Sequence, residues 1–72
     1  MLSVDEIKTN FGKHLRKLRE SKGWTQEELA EKAHLHWTYV GQIERGVRNP
    51  SLINLYRLTE ALKIDKGELL KF

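Results

Sequence analysis

Thr38, Gln42 and Arg45 stand at i, i+4 and i+7 within "HLHWTYVGQIERG", residues 34–46, a spacing that lines side chains up on one face of a helix. Their shared chemistry is hydrogen bonding to flat polar edges. A glutamine carboxamide can engage adenine through two bonds, a threonine can meet a base edge or a thymine methyl, and an arginine can clamp a guanine or a phosphate. The competing reading is an ordinary solvated helix face, and residue types alone do not separate the two. At about 100° per residue, Val40, Ile43 and Glu44 fall on the opposite arc, which leaves the polar ridge facing outward. Gly41 borders that ridge and costs a helix interior about 1 kcal/mol relative to alanine. Close approach of a bulky surface is one reason to accept that loss.

The elements that must hold this ridge read as helices with short joints. The 72 residues contain one Pro and five Gly, and no strand-like alternation persists. From Val4 to Ser21, Ile7, Phe11, Leu15 and Leu18 recur at helical spacing, with Lys13, Arg16 and Lys17 opposite and Gly23 as the stop. "WTQEEL" predicts a second helix from Gln26 to Ala33: Thr25 and Glu28 form a capping box and Trp24 staples onto Leu29. A weaker repeat of that grammar at Leu35 and His36 predicts a third helix from Trp37 to Arg45, closed by Gly46. Pro50 and Ser51 mark a turn and a cap for a fourth helix, Leu52 to Lys63. Asp65 and Glu68 suggest a further box and a brief fifth helix ending near Phe72. The expectation is one all-α domain over residues 1–72.

Composition narrows the function classes. There is no Cys, which excludes disulfides, thiolate metal sites and thiol nucleophiles. His34, His36 and Glu31 lack a third convergent ligand for a metal, and no phosphate loop or Ser-His-Asp set is present. The chain therefore reads as a non-enzyme without cofactor or metal, and no small-molecule ligand is evident. No apolar run approaches the roughly 20 residues of a membrane span, and nothing resembles an address, so a cytoplasmic place is expected. Lys plus Arg number 13 against 10 acids. Six bases and one acid lie between Lys8 and Lys22, a block that suits either a solvated face or a polyanion.

The joint between the second and third helices is only about three residues, His34 to His36, which suits a sharp corner with small Ala30 at the touching point. At these residues a resemblance enters. "TQEELAEKAHLHWTYVGQIERG", with "RNPSL" after it, resembles the helix-turn-helix domain of the Cro and phage-repressor family, from about Phe11 to Leu70. Leu29, Ala33, Leu35, Val40 and Ile43 match its apolar positions. The resemblance implies a compact five-helix, lambda-repressor-like fold with its helix-turn-helix unit at 26–45. It implies a sequence-specific regulator of transcription that lays the third helix in the major groove of double-stranded DNA.

Carried over residue by residue, the resemblance implies that Trp37, Thr38 and Gln42 face bases. Thr25 and Gln26, at a helix start that suits an anion, would hold phosphate, and Arg45, Arg48 and Asn49 would hold backbone further along. Arg19 and Glu44 match a pair that ties the first helix to the third. Two positions stay open: Trp37 either packs against helix one or two or meets a base or sugar, and Tyr39 either plugs the core edge or offers its hydroxyl to phosphate. The family usually has Gly at the corner where this chain has His34, so a positive φ there would carry some strain.

The fourth helix spreads its apolar residues over a wider arc than one core requires. Ile53, Leu58 and Leu62, with Ile64, Leu69, Leu70 and Phe72 beyond, are therefore expected to form a homodimer seam. Two-fold pairing would set two third helices about one DNA turn apart, as on a palindromic operator. Size and "TYVGQIERGVRNPSL" also resemble the stand-alone controller proteins of restriction-modification systems, with a free-standing phage-type repressor as the competing version. A protein-binding or antitoxin use of the same fold is the alternative from another class.

Overall fold

A computed structural model describes all 72 residues. Five helices follow one another: α1 (Val4–Ser21), α2 (Gln26–Ala33), α3 (Trp37–Glu44), α4 (Leu52–Leu62) and α5 (Lys66–Leu69). Their starts are set by side chains that satisfy free backbone amides. Ser3 and Glu6 close a reciprocal box at α1, as Thr25 and Glu28 do at α2, and Ser51 Oγ accepts from the Asn54 amide at α4. At α3 the cap is an imidazole: His36 Nδ1 accepts from the Thr38 amide at 3.2 Å.

The expected Asp65–Glu68 box does not form. The Glu68 amide donates to the Asp65 carbonyl at 2.9 Å, so the single turn of α5 is closed by backbone and the donor a box needs is already taken. Helices α3 and α4 each end one residue earlier than the sequence predicts, at Glu44 and Leu62, because Arg45 and Lys63 act as caps. Lys63 takes the left-handed conformation at φ 54°.

The core draws on every helix: Phe11 and Leu15 from α1, Leu29, Ala30 and Ala33 from α2, Val40 and Ile43 from α3, Leu58, Ala61 and Leu62 from α4, and Leu69 from α5. Helix α2 packs on both α3 and α4, and α1 packs on α3. The α1–α3 crossing is close because Gly12 has no side chain. A Cβ there would collide with the Ile43 carbonyl and stand 2.6 Å from that of Glu44. The C-terminal segment folds back on α1, with Phe72 edge-on to Phe11 at 5.9 Å and His14 Nε2 2.8 Å from the Glu68 carbonyl. No helix is long and apolar enough to cross a membrane.

This packing corrects the expected seam. Leu58 and Leu62 are 0% exposed and Leu69 is 2% exposed, all inside the protomer's own core, so they have no surface to offer a second copy. Ile64 is half-buried against the same core. The fourth helix looked too apolar for one core because α2 and α5 cover two different flanks of it. What remains outside is Ile53 and Leu70, with Leu52, Tyr56 and part of Phe72.

Candidate nucleic-acid interface

The corner that aims α3 turns on His34, in the left-handed conformation at φ 57°, ψ 42°. Its amide donates to the Glu31 carbonyl at 3.3 Å and the Leu35 amide reaches back to the Ala30 carbonyl at 2.8 Å, which closes the end of α2. A residue with a Cβ accepts that conformation at a cost of about 1–2 kcal/mol, which the buried Ala30, Ala33 and Val40 around the corner offset.

Behind the ridge, four residues join in one buried polar knot. Arg19 Nε donates to Glu44 Oε2 at 2.7 Å and Arg19 Nη2 to Glu44 Oε1 at 3.1 Å. Arg19 Nη1 also donates to the Trp24 carbonyl at 2.7 Å, and Gln26 Nε2 to Glu44 Oε1 at 3.1 Å. The Glu44 bonds hold the Arg19 proton above the ordinary guanidinium value, outweighing the opposing effect of burial. The knot locks α3 to α1 and to the start of α2.

The structure leaves Thr38 and Arg45 exposed on α3 and Gln42 half-exposed between them. Trp37 is 52% exposed, stacked on the His36 ring at 6.1 Å, and so points away from the core. Tyr39 is half-buried: its ring packs against the core, and its hydroxyl accepts from Asn54 Nδ2 at 3.0 Å. Arg48 lies over that ring at 5.5 Å and donates through Nε to Gln42 Oε1 at 3.0 Å. Arg48 and Asn49 are exposed on the loop after α3, and Thr25 is exposed at the start of α2.

One reading of a single residue changes. Gly41 is buried, and a Cβ there would stand 3.1 Å from Arg45 Nη1 and 3.3 Å from Gln26 Oε1. The missing side chain makes room for the molecule's own Gln26 and Arg45 between α2 and α3, which accounts for the glycine without an outside surface. Gln26 donates one of its two amide protons to Glu44, the Thr25 amide donates to the Glu28 carboxylate, and the Thr25 hydroxyl accepts from the Glu28 amide. The first-turn amides of α2 that no cap takes up lie at the same end, with Glu27 and Glu28 beside them. The Glu28 carboxyl is held below the usual carboxylate range, first by the Thr25 amide and then by the Thr25 hydroxyl.

Asn54 and Gly12 had no place in the sequence reading of the site, yet each positions it, and His36, read there as a weak cap, does hold the start of α3. The staple pattern of Leu35 and Val40 around His36 marks that residue as a cap. Asn54 lies 15 residues from Tyr39 and carries no local signal at all. No group of three His, Asp or Glu side chains converges as metal ligands.

The chain is similar to known proteins in both sequence and fold. The family model described as helix-turn-helix matches residues 15–69. The chain is 42% identical over 70 residues to the control protein C.BamHI of Bacillus amyloliquefaciens, covering 96% of this chain and 86% of that protein. It is also 42% identical over 67 residues to the control protein C.MunI of a Mycoplasma species, covering 92% and 90%. Among solved structures, the restriction-modification controller protein C.AhdI from Aeromonas hydrophila superposes with a TM-score of 0.83 at 49% identity, over 85% of this chain and 92% of that one. With a corner, a buried knot and an outward polar third helix all in place, this chain belongs to the helix-turn-helix family of DNA-binding transcriptional regulators.

Proposed function

We propose that the protein is a controller-type regulator that binds a palindromic operator as a homodimer, with α3 of each copy in the major groove. The observation that carries this reading is the ridge itself. Thr38, Gln42 and Arg45 remain at the surface on a helix whose other face is locked by Arg19 and Glu44, so the ridge is both accessible and rigidly aimed. In this reading Trp37, Thr38 and Gln42 meet bases, and Arg45, Arg48 and Asn49 neutralise backbone. Thr25 and Gln26, with the free amides at the start of α2, hold a phosphate, and Tyr39 keeps a hydroxyl proton to donate to another.

The controller role rests on likeness to C.BamHI, C.MunI and C.AhdI, each described as a control or controller protein. The second copy is supported by the apolar residues left outside the core, Leu52, Ile53, Tyr56 and Leu70, because pairing is the commonest way to cover such a patch. Action on DNA places the protein with the nucleoid in the cytoplasm.

Selection of bound duplexes from a random pool tests the reading. A palindromic sequence should emerge. On it, Gln42→Ala should lose about 1–3 kcal/mol of binding and little on random DNA. Log affinity should fall against log salt with a slope of about −0.9 per neutralised phosphate. Equal losses on both DNAs, or a flat salt response, would remove α3 as the reader.

A further inference from the structure

Each of the two ridge residues best placed to read bases is held by a neighbour through a hydrogen bond whose direction chemistry dictates. His36 Nδ1 lies 3.2 Å from the Thr38 amide nitrogen and 2.7 Å from Thr38 Oγ1. An amide N–H only donates, so Nδ1 presents a lone pair there and bears no proton. The hydroxyl at 2.7 Å must then donate to the same nitrogen. With its proton committed inward, Thr38 Oγ1 shows only lone pairs to the groove, and stacking of Trp37 on the imidazole holds the ring that imposes this.

At Gln42 the sense is reversed. A guanidinium has donors and no acceptor, so the carboxamide atom 3.0 Å from Arg48 Nε must be the oxygen. The amide nitrogen with its two protons is turned to the other side. Arg48 is itself seated over the Tyr39 ring, and Tyr39 is tied to Asn54, so this orientation is supported from α4. The remaining N–H groups of Arg48 stand beside Gln42 and also only donate. Adenine would set its amino group against this cation, whereas guanine offers two acceptors, N7 and O6.

We propose that His36 and Arg48 determine base preference by giving the ridge opposite hydrogen-bond polarity. Thr38 is an acceptor for an amino-bearing edge, cytosine N4 or adenine N6, and Gln42 with Arg48 is a donor pair for guanine. This rests on α3 being the base reader proposed above. It moves Arg48 from the backbone role given above to the base edge, and it replaces the adenine that a free glutamine would be expected to choose.

The test is selection from a random duplex pool with the full chain and with variants. Thr38→Val and Gln42→Ala identify which operator position belongs to each residue. The wild type should prefer an amino-bearing base at the first and guanine at the second, each by about tenfold. His36→Ala should cut the first preference to about threefold or less and leave the second intact. His36→Asn, whose carbonyl oxygen can accept from the same amide and hydroxyl, should retain it. Arg48→Met, which keeps the stem and loses the donors, should let adenine rise at the second position only. If His36→Ala or Arg48→Met leaves its own position unchanged or flattens every position alike, or if His36→Asn loses the first preference, the polarity assignment is wrong. A wild-type chain that enriches no sequence would overturn the reading of α3 itself, and this inference with it.

Discussion

Arg19 and Glu44, 25 residues apart in sequence, meet in a two-bond fork of 2.7 and 3.1 Å whose side chains are 10% and 3% exposed. So deep a pair contributes little through its charges, since desolvation offsets their attraction; its effect is to permit one arrangement of α1 and α3. No buried side-chain nitrogen or oxygen in the molecule is left without a hydrogen-bond partner.

Removing one member of the fork leaves the other's charge buried. Arg19→Ala should cost about 3–5 kcal/mol in urea unfolding, and Glu44→Leu a similar amount. The double replacement Arg19→Met with Glu44→Leu should cost less than either alone. Additive losses would show that the two residues do not act as a unit.

Gly12 carries a comparable constraint without any polar group. Gly12→Ala would press a methyl onto the Ile43 and Glu44 carbonyls, which are backbone and cannot rotate away. The expected loss is about 1–3 kcal/mol, read from the thermal or urea midpoint. Gly67→Ala, where a Cβ meets open space, is the control and should leave the midpoint nearly unchanged.

The capping boxes give stability a defined pH dependence. Glu6 and Glu28 are both held below their ordinary value of 4.5 by bonds from Ser3 and Thr25. A carboxyl depressed in the folded state contributes fully above its unfolded value and loses that contribution as pH falls through the folded one. The melting temperature should therefore be level above about pH 5 and decline below 4.5. Glu28→Gln, which keeps the bond and cannot titrate, should flatten part of that decline.

The apolar residues of α4 should separate into two behaviours. Leu58→Ala empties a fully buried site and should destabilise the fold by about 2–5 kcal/mol. Ile53→Asp changes an exposed residue and should leave the fold intact while shifting sedimentation from dimer to monomer and weakening operator binding. A monomeric wild type would remove the homodimer from the proposal, and an Ile53→Asp variant that still pairs would place the seam elsewhere.

The helices were legible in the sequence because the signals that start and stop them act within one turn. Thr25 reaches Glu28, Ser51 reaches the Asn54 amide and Gly46 takes φ 76° immediately after α3, all over a few residues. The outward ridge was legible for the same reason, since a 3.6-residue period relates Thr38, Gln42 and Arg45 to Val40 without reference to any other element. Even the strained corner at His34 could be located, because a three-residue joint leaves few ways to turn.

Local signals along the chain thus fix the five helices, the caps at Thr25, His36 and Ser51, and which face of α3 meets water, whereas the box they suggest at Asp65 does not form. The tertiary structure alone decided which leucines of α4 face inward, why Gly12 and Gly41 lack side chains, and how Gln42, Arg48, Tyr39 and Asn54 lean on one another. The division has one physical cause. Capping and periodicity are satisfied by neighbours along the chain, whereas burial and side-chain pairing depend on which distant surface arrives, and that is set only when all five helices share a core.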